Sequence, residues 1–118
     1  MTELIAFLST EENNWAYVAK LISKFKWDKV IIITNGYKSE MLQLRNDAEI
    51  ITINNKLPLT ELASDLKDKL EGEVNGMEVA VNFVSGNGKE HMALMSSLLK
   101  LGLGVRFIAL TPSGIEQI

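Results

Sequence analysis

The chain has 118 residues, 47% of them hydrophobic, which is one ordinary domain's length and apolar enough to bury a core. A formal net charge of −3 excludes a surface built to grip long nucleic acid, which needs a basic stripe. The absence of cysteine excludes a disulfide scaffold, a thiol nucleophile and a cysteine-based zinc site.

Residues 4–8 form a short apolar run with almost no charge, the pattern of a strand buried on both faces. Ser9 and Glu12 have the spacing of a capping box, which predicts a helix over residues 13–25. Residues 29–34 contain four consecutive β-branched side chains, Val30, Ile31, Ile32 and Ile33, and form the second strand, ended by the Asn35-Gly36 turn dipeptide. A weaker helical segment at 38–44 precedes a third strand at 49–53.

In residues 58–71, Leu59, Leu62, Ala63, Leu66 and Leu70 recur at three- and four-residue spacing, so this segment is an amphipathic helix with one buried stripe. A fourth strand is predicted at 77–84, a helix at 89–101 closed by Gly102, and a fifth strand at 105–110 stopped by Pro112. Alternating strands and helices imply an α/β fold: a Rossmann-like, doubly wound, mostly parallel five-stranded sheet of order 3-2-1-4-5, with helices on both faces. The whole of 1–118 reads as one ligand-binding domain. Its first and last helices carry apolar arcs wider than one sheet contact needs, so either the layers pack deeply or part of this surface meets a second subunit in a homodimer.

In that order the chain reverses direction between strands 1 and 4, and ligands of such sheets bind outside the strand ends at this point. The loops there contain Ser9, Thr10 and Asn13 on one side and Ser85-Gly86-Asn87-Gly88-Lys89 on the other. Main-chain amides and the positive end of a helix dipole converge in the second loop, where Gly86 and Gly88 permit close approach and Lys89 adds a charge. A phosphate-bearing ligand is therefore expected, with Ser85 and Asn87 as hydrogen-bonding partners and Asn35 bordering the pocket. The same residues also suit a tight turn, and Ser9 and Thr10 suit helix capping.

A Walker A loop would need glycine at Phe83 and a hydroxyl residue at Glu90, and a dinucleotide fingerprint would need glycine at His91. Neither motif is present. His91 is the single histidine, so a multi-histidine metal site is excluded, and no cofactor is expected. His91 suits a general acid or base, or a hydrogen-bonded structural role. No signal-peptide pattern or membrane-length apolar run is visible, which leads to the expectation of a cytoplasmic protein.

The stretch Val84-Ser85-Gly86-Asn87-Gly88-Lys89-Glu90-His91-Met92-Ala93, between an apolar strand and an apolar helix, resembles the Thr/Ser-Gly-Gly-Thr-Lys signature of CRISPR-associated Rossmann-fold (CARF) domains. Ser9 at the end of strand 1 matches a second family feature. Asn87 and Gly88 replace the family's usual Gly and Thr, and Phe83 stands where a polar residue is often found, with Asn82 one place away.

The resemblance implies a homodimer that binds cyclic oligoadenylate, an antiviral second messenger of type III CRISPR systems, across its two-fold axis. It also implies a metal-independent ring nuclease, in which the ribose 2′-hydroxyl attacks the adjacent phosphate, expels the 5′-oxygen and leaves a 2′,3′-cyclic phosphate. Lys89 would stabilise the phosphorane, Ser9 would orient ribose or phosphate, and His91 would transfer a proton. The alternatives are a module for a mononucleotide or other phosphometabolite, and a non-catalytic protein-interaction domain.

Overall fold

The structure, a computed structural model, describes residues 2–9 and 14–118. Its strands are β1 (Glu3–Phe7), β2 (Lys29–Thr34), β3 (Glu49–Thr52), β4 (Glu78–Asn82), β5 (Gly104–Thr111) and β6 (Gly114–Gln117). The helices are α1 (Trp15–Ser23), α2 (Leu59–Leu70) and α3 (Gly88–Lys100), with a 3₁₀ helix at Ser39–Gln43 in place of the weak helical segment. The fold is α/β and Rossmann-like, with one sheet of order β3-β2-β1-β4-β5-β6. All neighbours are parallel except β5 and β6.

The sixth strand departs from the five-stranded expectation, and its cause is local. Pro112 does not stop the sheet but turns it, because its fixed φ suits the first central position of a turn. Thr111 pairs with Gly114 across Pro112-Ser113, and Gly114 takes up the positive φ of 117° that closes the hairpin. Ser113 N–H donates to the Thr111 hydroxyl at 3.2 Å, which helps hold the bend.

β1 and β2 are covered on both sides, which is why neither alternates polar with apolar residues. Ile5, Phe7, Ile31 and Ile33 face α2 and α3, meeting Leu62, Leu66, Leu70, Leu94 and Leu98. Leu4, Ala6, Val30 and Ile32 face the other way, onto Val18, Leu21 and Ile22 of α1 and onto Met41. Each leucine buried this fully contributes about 1.5–3 kcal/mol. Ser97 ties the α2–α3 layer by donating its hydroxyl to the Ala63 carbonyl at 2.9 Å.

α1 is shorter than its apolar pattern. Asn14 is its N-cap without a side-chain cap bond, and the Ser9–Glu12 capping spacing involves residues outside those described. Buried Glu3 fixes the approach to β4, its carboxylate accepting from the amides of Asn75 and Gly76 at 2.8–3.0 Å. Among the described residues no helix is long and apolar enough to cross a membrane.

Candidate functional site

β1 and β4 lie side by side at the point where the strand order reverses. Their exits are fastened together. Ser9 N–H donates to the Ser85 hydroxyl oxygen at 2.8 Å, and the Asn14 side-chain amide donates to the Val84 carbonyl at 3.3 Å. The Trp15 indole N–H donates to the Ser9 carbonyl, also at 3.3 Å, so the start of α1 is drawn to the same place. Thr10 and Asn13 lie outside the described residues.

Ser85 is fully buried, and it works as a joint rather than as an exposed ligand contact. Its carbonyl lies 2.7 Å from His91 Nε2. A carbonyl only accepts, so Nε2 carries the proton in this contact. The His91 ring stacks on Phe83, with centroids 4.6 Å apart and planes 6° from parallel, and meets Phe7 edge-on at 5.2 Å. Of the two roles open to His91, the structural one is occupied here.

Gly86 follows with φ of +94°, a conformation that side chains with a Cβ rarely adopt. A Cβ at this position would stand 2.9 Å from His91 Nε2 and 3.2 Å from Glu90 Oε1. Asn87 is the N-cap of α3 and forms a reciprocal capping box: Glu90 N–H donates to its side chain and its own N–H donates to Glu90 Oε1, each at 2.9 Å. The capping box thus uses the Asn87 amide of the loop and the Glu90 amide of the helix. The amides of Gly88 and Lys89, in the first turn of the 13-residue α3, have no acceptor among the described residues. Gly86, Asn87 and Gly88 are exposed, and a Cβ added at Gly88 would meet nothing within 4 Å.

Lys89 is oriented differently from the sequence expectation of an ammonium group over the loop. Its Nζ donates to the Leu57 carbonyl at 2.8 Å, tying α3 to the segment before α2. Ser85 therefore links Ser9 to His91, while Lys89 is bonded elsewhere. Of the trio proposed for proton and charge transfer, Lys89 Nζ is bonded to the Leu57 carbonyl and His91 Nε2 to the Ser85 carbonyl.

Asn35 is half-buried at the end of β2, beside the β1 exit, where Leu8 N–H still donates to the Ile33 carbonyl at 2.9 Å. The turn at Asn35 is closed by its neighbours: Gly36 N–H donates to the Thr34 hydroxyl at 3.2 Å. No group of three or more side chains able to hold a metal ion occurs among the described residues.

One buried polar network is not apparent from sequence. Asn82, 3% exposed, donates through Nδ2 to the Ile108 carbonyl at 2.9 Å and to the Tyr17 hydroxyl at 3.3 Å, and accepts from Val84 N–H at 3.1 Å. The Tyr17 hydroxyl also accepts from Leu110 N–H at 2.8 Å. These bonds lock the β4 exit, β5 and α1 together, and so hold the loop in position. The signal was an asparagine at the end of the Val-Ala-Val run of β4.

No protein-family model matches the chain, and no curated protein matches it.

Proposed function

We propose that the chain binds a small phosphate-bearing ligand at the crevice between the β1 and β4 exits, and that the ligand is cyclic oligoadenylate held across a homodimer, as the CARF resemblance implies. The observation that carries this reading is the 2.8 Å contact between Ser9 and Ser85 beside the exposed Gly86, Asn87 and Gly88. It fastens the two switch-point loops beside the amides of Gly88 and Lys89, which have no acceptor among the described residues. A cytoplasmic setting goes with such a ligand.

Magnitudes favour a two-fold arrangement. Two charge-assisted amide bonds at about 1.5–3 kcal/mol each give one cradle about 3–6 kcal/mol before ordering costs, which is millimolar to tens of micromolar affinity. A ring that meets two symmetry-related cradles gains this twice, about 6–12 kcal/mol, which spans tens of micromolar to nanomolar affinity. Binding with slow or no cleavage is the expected behaviour, because His91 Nε2 and Lys89 Nζ are both engaged in structural hydrogen bonds.

The test is titration of labelled cyclic tetra-adenylate and hexa-adenylate, with 5′-AMP and ATP as competitors, alongside sedimentation. Micromolar binding of one ring by a dimer supports the proposal. Failure of both rings to bind at micromolar protein overturns it. The mononucleotide reading needs only one such cradle. A monomer that binds AMP or ATP as well as either ring would establish that reading instead.

A further inference from the structure

A second cavity lies at the opposite end of the sheet, where the parallel strands begin. It has a volume of about 160 Å³ and is lined by Thr2, Phe25, Trp27, Arg106, Ile108 and Ile115, among others. Thr2 precedes β1 and Trp27 precedes β2, whereas the Ser9–Ser85 crevice lies where β1 and β4 finish. The two sites are therefore separate.

The unusual member of this cavity is Arg106. Its guanidinium Nε is buried and has no hydrogen-bond partner among the described residues, while the side chain as a whole is 32% exposed. The nearest carboxylate oxygen, on Glu78, is 3.7 Å away, beyond hydrogen-bonding distance, and belongs to a side chain 64% exposed. A buried guanidinium N–H left unmade is costly, and planar carboxylates match the guanidinium fork in two places at once. Lining the same cavity are two aromatic rings, Phe25 and Trp27, packed on each other with centroids 4.7 Å apart, and the aliphatic side chains of Ile108 and Ile115. A cationic donor beside two polar side chains, Thr2 and Gln117, and these four apolar ones is a lining that an amphipathic anion can use. The volume is below the roughly 300–1,000 Å³ of sites for larger organic ligands, so a nucleotide is too large.

We infer that this cavity binds a small monocarboxylate with a compact apolar body, its carboxylate on Arg106 and its hydrocarbon part against Phe25, Trp27 and Ile115. Benzoate is the probe, with benzamide as its neutral counterpart, followed by two-dimensional NMR that observes the Arg106 Nε–H and the Trp27 indole. Benzoate should bind about ten- to a hundredfold more tightly than benzamide, the difference expected for a charge-assisted pair. It should shift Arg106, Ile108 and Ile115 while leaving Gly86 and Gly88 unmoved. In Arg106→Gln that preference should vanish.

Equal binding of benzamide by the wild-type protein would overturn the proposal, reducing the cavity to an apolar hole. So would the absence of benzoate shifts at millimolar ligand, which leaves Arg106 satisfied by solvent alone. The wild-type comparison decides the matter even where Arg106→Gln fails to fold. Because the probe carries no phosphate, its outcome is independent of the cyclic oligoadenylate titration.

Discussion

Replacing Gly86 by alanine tests whether the loop after β4 is held in one conformation. At φ of +94° an alanine pays about 1–2 kcal/mol for its Cβ. The new methyl would also stand 2.9 Å from His91 Nε2, 3.2 Å from Glu90 Oε1 and 3.3 Å from Phe7 Cβ, none of which can retreat freely. His91 is bonded to the Ser85 carbonyl and stacked on Phe83, Glu90 is held in the capping box, and Phe7 lies in the core. Such overpacking costs about 1–3 kcal/mol more. The combined loss of about 2–5 kcal/mol is a large part of a stability of roughly 5–15 kcal/mol. It lowers the melting temperature by about 8–20 °C, taking roughly 4 °C per kcal/mol at this size. Thermal and urea unfolding followed by circular dichroism measure it. Gly88→Ala is the internal control: its φ is not positive and its Cβ enters open space, so it stabilises the helix by about 0.5–1 kcal/mol. If both variants melt with the wild type, the loop does not have the described geometry.

Ser85→Ala removes the acceptor for Ser9 N–H inside a fully buried site; a loss of about 1–3 kcal/mol in urea unfolding is expected, together with weaker ligand binding as the two exits separate. Tyr17→Phe strands Leu110 N–H and one Asn82 donor, and should destabilise by a similar 1–3 kcal/mol, with a double-mutant cycle against Asn82→Ala showing that the two losses are not additive. The hydrogen bond from Arg45 to Asp47, aided by its positive charge, holds the Asp47 carboxyl below the ordinary aspartate range. Because the folded-state value is the lower one, this contact supports the fold above the unfolded-state pKa and fades as pH falls through the folded one. An NMR titration should place the Asp47 midpoint below that of an unpaired aspartate, and Arg45→Gln should return it upward.

The parts of the fold legible in sequence are those that repeat a physical pattern over many residues. Four β-branched residues in β2 and five regularly spaced apolar side chains in and beside α2 each specify one element without help from elsewhere. β6 has only four residues, one of them Glu116, and its hairpin begins with a proline that serves equally well as a strand terminator. At the site, the meeting of Ser9 with Ser85 followed from strand order alone. The direction of Lys89 did not, since its acceptor is a carbonyl 32 positions away that only the folded chain brings near. The Asn87–Glu90 capping box was available in the spacing, the same signal that Ser9 and Glu12 carry. Tyr17 reads in sequence as one more apolar residue at helical spacing in α1, because nothing in a periodicity distinguishes a ring from its hydroxyl.

Ser85 answers to two parts of the molecule through two different atoms, its side-chain oxygen to the backbone after β1 and its main-chain oxygen to the imidazole of α3. A shift of either partner disturbs the bond to the other. Were a ligand to bind there as proposed and draw on the Ser9 amide, the strain would pass through Ser85 to the imidazole seated against Phe83 and Phe7.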